Sequence, residues 1–326
     1  MSTLSMVTGA NGHLGNTLVR ALLGRGQHVR AGVRDPERSI AMHGLDCQVV
    51  RAELQDPASL RKALQGVDVL YQVAAVFKHW AHNPQTEIVD INVQGTRNVL
   101  RAAAEAGVRR VVYVSSVAAV GHNGQRLDEN SWNSDQQNPY YRSKILSEQA
   151  AWDTTQTCNL PMVAVLPSAI IGPHATRLTD TMGFLASVLA RKLVLDPNFH
   201  FNFVDVRDVA DGMIRAAQKG RPGQRYILAN QQASSLAQII EALNTLCPGY
   251  RLPRRAPKAV LLLIAWLQEQ QARYTGIPAQ LLRSQVHMFY GVQQVYSIDK
   301  ATHELGYQPR SPHNTLKQAF AYLLAR

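Results

Sequence analysis

The sequence is poor in cysteine, in acidic residues and in long apolar runs. Its three cysteines, Cys47, Cys158 and Cys247, lie far apart in 326 residues and show no metal-ligand or disulfide-framework spacing. That excludes a stapled secreted scaffold and fits a reducing cytoplasm. No stretch nears the ~20 apolar residues of a membrane span, and the longest candidate is AVLLLIAWL at 259–267. Met1, Ser2 and Thr3 carry no basic start of a leader, so none is expected. No internal repeat or low-complexity tract appears.

Acidic residues number 23 against 34 Lys and Arg, a formal net charge of +11, and 26 of the 34 basic residues are arginine. A basic balance can mark a nucleic-acid partner, but RNP-like aromatics, zinc-finger spacing and long Lys/Arg runs are missing, so none is expected. An anionic small-molecule partner or plain solubility accounts for the charge equally well. With 46% apolar and 17% charged residues the chain is an ordinary globular one, long enough for a large core with a smaller lobe.

Along the first two-thirds, six Val/Ile/Leu-rich runs alternate with helix-length segments: 4–8, 28–33, 47–52, 67–73, 110–115 and 161–166. The helical candidates between them are 12–24, 57–65, 85–106 and 139–156. Nearly continuous apolar strands separated by helices predict an α/β fold, a doubly wound parallel sheet covered on both faces. After Leu166 the rhythm breaks at PSAIIGPHATRL. A strand-like HFNFVDV (200–206), a helix over 207–219 and RYIL (225–228) follow, then mostly helix at 235–246, 257–273 and 313–325. The expected division is a dinucleotide-binding Rossmann domain of 1–166 with 200–228, and a smaller, mostly helical substrate lobe of 167–199 with 229–326.

The loop VTGANGHLG follows the first strand, with Gly9, Gly12 and Gly15 spaced three apart. Glycines there allow a sharp turn and let the backbone approach a pyrophosphate seated on the N-terminus of the next helix. The second strand ends in VRDPER, where a NAD-selective fold commonly has an acid for the ribose 2′-OH. Arg34 stands there instead, and a guanidinium suits a 2′-phosphate. Asp35 is adjacent, so the expectation is a preference for NADPH over NAD.

The segment NPYYRSKILSEQ (138–149) places Tyr140 at i−4 and Tyr141 at i−3 from Lys144, and helical geometry lets either neighbour the lysine. A phenol beside an ammonium can donate a proton to a carbonyl oxygen that gains charge during reduction.

Taken in order, TGANGHLG, QVAA (72–75), NVQGTRNVL (92–100), VSSVAAVG (114–121), PYYRSKILSE (139–148), LPSAIIGP (166–173) and FVDVRDVADG (203–212) resemble the extended branch of the short-chain dehydrogenase/reductase superfamily. The chain looks closest to the dihydroflavonol-reductase-like and 3β-hydroxysteroid-dehydrogenase-like groups. The resemblance spans nearly the whole chain. It implies that Tyr140 is the acid/base, that Lys144 lowers its pKa and holds the nicotinamide ribose, that Ser116 holds the substrate oxygen, and that Asn92 supports the site. It implies cofactor contacts from Gly9, Asn11, Gly12, His13, Leu14, Gly15, Arg34, Glu53, Leu54, Val73, Ala74, Ala75, Ser115, Pro167, Ser168 and Ile170, besides Tyr140 and Lys144. Glu53 stands where the family usually has Asp, with Asp56 the alternative nearby.

Phe201 departs from the branch's nucleotide-sugar enzymes, which carry a diphosphate-gripping arginine at that position; Arg177 or Arg283 could substitute for it. The loops expected over the nicotinamide offer Phe77, Trp80, Tyr141 and Phe184 as an apolar lining, with His79 and His174 as polar handles. The resulting expectation is an NADPH-dependent interconversion of a ketone or aldehyde and an alcohol on a mid-sized, partly apolar substrate, with no metal. The rivals are a sugar-nucleotide epimerase or dehydratase that retains NAD, and a non-catalytic NADP sensor. Dimerisation through 85–106 and 139–156 is what the resemblance implies for assembly. The basic-then-apolar stretch 250–270 is expected to pack the second lobe, with membrane-surface or acyl-chain association as the alternative.

Overall fold

The computed structural model describes residues 3–77, 81–134, 137–276, 279 and 281–326. In chain order, β1 (Leu4–Thr8), α1 (His13–Leu23), β2 (His28–Val33), β3 (Gln48–Arg51), α2 (Pro57–Leu64) and β4 (Val69–Gln72) form the first half of the wound sheet. A π-helical turn over Gln85–Asp90 runs straight into α3 (Ile91–Glu105), followed by β5 (Arg110–Val114), a short β6 (Arg126–Leu127), α4 (Pro139–Thr157) and β7 (Met162–Pro167). The remainder comprises β8 (Ala169–Ile171), α5 (Asp180–Leu189), β9 (Phe203–Asp205), α6 (Val206–Lys219), β10 (Arg225–Leu228), α7 (Leu236–Asn244), α8 (Lys258–Thr275), α9 (Arg283–Phe289), β11 (Val295–Tyr296) and α10 (Pro312–Leu324).

Seven of these strands make one parallel sheet in the order β10-β7-β5-β4-β1-β2-β3. Strand order reverses between β1 and β4, and a crevice opens beyond the carboxyl ends of strands at such a point. Every motif predicted to hold a cofactor sits on that edge. One face is covered by α1 and α6, whose Leu14, Leu18, Leu22, Val209 and Met213 share a buried cluster with Val7, Val163 and Tyr226. The opposite face is covered by α2, α3 and α4, burying Leu60, Leu64, Val99, Leu100 and Ala151 against Met6, Leu70, Val111 and Met162.

The strand in 200–206 falls outside this sheet. Its Phe203–Asp205 core pairs with Ala169–Ile171 as a separate two-stranded ribbon. The seventh strand of the large sheet is β10, which the five residues 220–224 beyond α6 bring alongside β7. Over the ribbon, α5, α7 and α10 enclose a third cluster of Met182, Leu185, Phe203, Ile239, Leu243 and Phe320. Together with α8 and α9 they form a mostly helical lobe above the carboxyl edge of the sheet. Among the described residues, no helix is long and apolar enough to cross a membrane, and no cluster of His, Cys, Asp and Glu could hold a metal ion.

Candidate active site

The glycine loop is shaped by close approaches. Gly9 has φ of 64°, and a Cβ there would lie 2.9 Å from the Cα of Ala74 in the loop after β4. A Cβ on Gly15 would lie 2.3 Å from the Gly9 carbonyl oxygen, so only glycine lets α1 start this close to its own loop. Gly12 caps α1 with no side chain, and the first turn of α1 has no acidic residue. The first N–H groups of α1 and the positive end of its dipole therefore meet nothing acidic, the condition for holding a phosphate. His13, Leu14 and Asn16 of that turn are buried. His13 Nε2 lies 2.8 Å from the Pro173 carbonyl, while its buried Nδ1 has no partner and burial lowers its pKa. Asn11 accepts from the Ser39 hydroxyl at 2.8 Å.

Thr8 and Gln72 organise the loop that crosses the switch point. Thr8 Oγ1 donates to Gln72 Oε1 at 2.6 Å and accepts from the backbone N–H groups of Val73 and Ala74 at 3.0 and 3.1 Å. Neither residue stood out in the sequence, although both belong to quoted motifs. Ala75 and Phe77 then emerge to the surface. Asn92 pins the same loop: Oδ1 accepts from Val76 N–H at 2.7 Å, and Nδ2 donates to the Val76 carbonyl and to Ser143 Oγ, both at 2.9 Å. It thereby ties the loop after β4 to α3 and α4.

At the far end of the crevice, Arg34 pairs with Glu53 through Nε at 2.6 Å, and the Arg34 side chain is 78% exposed. Asp35 is engaged locally, accepting from Glu37 N–H at 3.1 Å and lying 3.4 Å from Arg38. Asp56 caps α2 through the N–H groups of Ala58 and Ser59. Leu54 is buried, its carbonyl held by Asn98 at 2.8 Å. Across the crevice Pro167 ends β7, Ser168 presents a buried hydroxyl with no partner, and Ile170 is half-buried on β8. An open glycine cradle, an uncapped helix start and two orphaned buried polar atoms, on His13 and Ser168, fit a dinucleotide.

Asn138 caps α4, its Oδ1 accepting from Tyr140 and Tyr141 N–H at 3.0 and 3.3 Å, with Pro139 preset for the first helical position. This start turns Tyr140 inward and leaves Tyr141 half-buried. The Tyr140 phenol is buried, hydrogen-bonded by Ser116, and met edge-on by Phe77 at 4.8 Å between ring centroids. Burial is the largest influence on it and pushes its pKa up to about 12; the Ser116 hydrogen bond opposes this, and Asp180 at the start of α5 adds to it. The expected lowering of Tyr140 is therefore not what this structure has. Lys144, one turn on, is itself driven down to about 8 by burial, with Glu148 acting in the opposite direction. Desolvation disfavours phenolate and ammonium alike. Ser116 Oγ also accepts from Ala118 N–H at 3.1 Å. The neighbouring Ser115 hydroxyl turns away to Glu148.

Tyr141 faces an aromatic cluster. Its ring lies 5.3 Å from His122 and 6.3 Å from Phe289, and Phe289 in turn meets Phe199 and Phe201 at 5.8 and 6.3 Å. Phe201 contacts Phe184 at 5.2 Å and Phe203 at 5.5 Å, so it is the hub of a chain of rings that runs from Tyr140 into the second lobe. His122 and Phe289 were missed, because nothing local marks a residue that meets Tyr141 only through the fold. His174 lies elsewhere: its carbonyl accepts from Asn16 at 3.1 Å, and the charges acting on its ring are those of Arg20, Arg207 and Asp205. Trp80 and His79 lie outside the described residues.

Residues 5–229 match the family described as "NAD dependent epimerase/dehydratase family". The chain is 35% identical over 335 residues to a putative dihydroflavonol 4-reductase of Synechocystis sp., covering 98% of this chain and 93% of that protein. It is 34% identical over 328 residues to the sterol demethylase protein B of Methylococcus capsulatus, covering 99% and 98%. Among solved structures, that of gox2253 superposes with a TM-score of 0.86 at 32% identity, covering 99% of this chain and 98% of that one. The chain belongs to the NAD dependent epimerase/dehydratase family, as an NAD(P)-dependent oxidoreductase of the extended short-chain dehydrogenase/reductase branch.

Proposed function

We propose that this protein is an NADPH-dependent reductase that interconverts a ketone or aldehyde and the corresponding alcohol on a mid-sized, partly apolar substrate. The observation that carries the reading is the buried Tyr140 phenol, hydrogen-bonded by Ser116, one turn from Lys144 and beneath Phe77. Bound NADPH supplies the hydride that reduces the carbonyl carbon. Tyr140, with a pKa near 12, holds its proton at neutral pH and is poised to give it to the carbonyl oxygen. Ser116 offers that oxygen a second donor, and Asn92 keeps the loop bearing Phe77 in place. Lys144 keeps its ammonium below about pH 8 and would hold the nicotinamide ribose of a bound cofactor.

NADPH is preferred to NADH in this reading because Arg34, though paired through Nε with Glu53, is a largely exposed cation at the end of β2, while Asp35 is engaged by Glu37 N–H and Arg38. The substrate is partly apolar because Phe77, Tyr141, Phe289 and Phe201 form the wall that leads away from Tyr140. A nucleotide sugar is disfavoured: Phe201 sits among four other rings where a diphosphate would need a cation. Two relatives carry names that refer to a dihydroflavonol and a sterol, which accords with a substrate of this size.

The test is a screen of carbonyl compounds by NADPH consumption, with Tyr140→Phe alongside. The expected result is turnover that falls about 10²- to 10⁴-fold in the variant, with NADPH affinity retained. Near-normal turnover of Tyr140→Phe would remove the residue from this role.

A further inference from the structure

Helix α8 is apolar on the wrong side. Leu261, Ala265 and Ala272 are its buried residues, and the first two cluster with Phe199, Val286 and Phe289, with Leu262 at their flank. The other side carries Val260, Leu263, Trp266, Leu267 and Tyr274, exposed by 40, 58, 43, 53 and 89%. At 100° per residue these five fall within one third of the helix circumference, so they share one solvent-facing side, with Gln270 between Leu267 and Tyr274. The expectation that 250–270 packs the second lobe holds for one side of the helix only.

The stripe has a charged border of one sign. Arg251, Arg254, Arg255 and Lys258 precede it, Arg273 stands in its last turn, and residues 248–268 contain no Asp or Glu. Glu269, the first acid on the helix, is paired with Arg283 at 2.8 Å. Asp196, 3.8 Å from Arg255, is the acid that faces the cluster from the lobe beneath. Leu252, 51% exposed, extends the apolar surface between the arginines. An amphipathic helix with Trp and Leu on one face and a basic margin lies flat in a membrane interface, and such basic margins select anionic lipid.

We propose that α8 docks the protein on the surface of an anionic bilayer, with the Val260-to-Tyr274 stripe at the level of the acyl-chain boundary and the four basic residues before it on lipid phosphates. A second copy of the chain is the weaker occupant, because a two-fold contact through this stripe would set one basic cluster against the other. The inner side of the same helix belongs to the cluster that includes Tyr141, Phe201 and Phe289. One helix diameter, about 10 Å, therefore separates the docked face from the rings that lead to Tyr140. An apolar substrate dissolved in the bilayer would reach these rings without crossing water. The docking is read without turnover, so it stands or falls separately from the reductase assignment.

The experiment is co-flotation of the full chain with vesicles of equal parts phosphatidylcholine and phosphatidylglycerol, and with vesicles of phosphatidylcholine alone. The wild type should float with the mixed vesicles and bind the neutral ones at least tenfold more weakly, with molar salt removing the difference. Leu263→Ser with Trp266→Ser should lower binding at least tenfold while leaving the melting temperature and turnover unchanged. Arg254→Glu with Lys258→Glu, two changes at exposed positions, should reduce binding to the mixed vesicles about fivefold or more for each charge lost. Failure of the folded wild type to float overturns the proposal. So does binding that survives both variants, or sedimentation that shows a dimer dissociated by the Leu263/Trp266 changes and no lipid binding.

Discussion

Replacing Lys144 by methionine should make the protein inactive and more stable. The folded lysine titrates near 8 against an ordinary 10.5, a depression caused by burial that Glu148 only partly offsets. Between those pH values the unfolded chain binds more protons than the folded one, so stability rises with pH. The strain is fully present below about pH 8 and is gone above about 10.5. A difference of two and a half units corresponds to about 3 kcal/mol. Methionine has similar length and no charge, so Lys144→Met should gain roughly that amount at pH 7 and nothing at pH 10.5. The measurement is urea unfolding followed by the fluorescence of the four tryptophans, for both proteins across pH 7 to 10.5. Subtracting one profile from the other cancels every group that titrates in both. Two parallel profiles, with a gap that changes by less than about 1 kcal/mol, would refute the claim that burial strains this ammonium.

Gly15→Ala should abolish stabilisation by NADPH in thermal melts and cost about 1–3 kcal/mol without ligand, because its Cβ would meet the Gly9 carbonyl at 2.3 Å. Arg34→Asp should lower the ratio of kcat/KM for NADPH over NADH at least tenfold; an unchanged ratio would detach Arg34 from the 2′-phosphate. Arg225→Met strips the buried Glu148 of its ion pair at 2.7 Å and should cost about 3–5 kcal/mol in urea unfolding, since the buried carboxylate loses its guanidinium partner. Glu148→Gln should shift the alkaline limb of the rate profile downward, because the carboxylate that raises Lys144 is lost; a limb that stays in place would rule out that coupling.

The parts of the fold legible in advance were those with a local cause. Uninterrupted runs such as RVVYV and MVAVL have no solvated face and become β5 and β7 in the middle of the sheet. The glycine spacing has a local cause as well: two of the three positions have no room for a Cβ. What stayed hidden depends on distant pairings. Arg225 and Glu148 are 77 residues apart, yet they form one buried pair. Phe289 meets Tyr141 only because α9 folds back over α4. Phe203–Asp205 has the composition of a sheet strand and goes to a separate ribbon, because β10 already occupies the edge beside β7. In α8, AVLLLIAWL is apolar at every position, so its pattern could not reveal which side faces the core. The direction of the Tyr140 shift was hidden for a related reason. A cation one turn away is visible in sequence, whereas the depth of burial that raises the phenol is not.

Helix α4 shows why a depressed lysine and a raised phenol can coexist in a stable site. Tyr140, Lys144 and Glu148 follow one another at four-residue intervals and are all buried, so they form a single stripe along the helix. A stripe with two ionisable groups and a phenol would be costly against an apolar sheet. It is held because its lower end is fully paired: Glu148 takes the guanidinium of Arg225 and the hydroxyl of Ser115, and Arg225 also donates to the carbonyls of Glu129 and Ser131 at 2.8 Å. Ser143, on the adjacent line of α4, accepts from Asn92 and so ties the loop after β4 to the same helix. The pairing that satisfies Glu148 also divides its charge, leaving less of it for Lys144. The ammonium is therefore held by the fold in a setting that burial makes unfavourable, and the proton of Tyr140 is retained for the same reason. At neutral pH that strain would be relieved by a molecule that enters the crevice with groups of its own to offer the two side chains, as a substrate carbonyl and a ribose hydroxyl would.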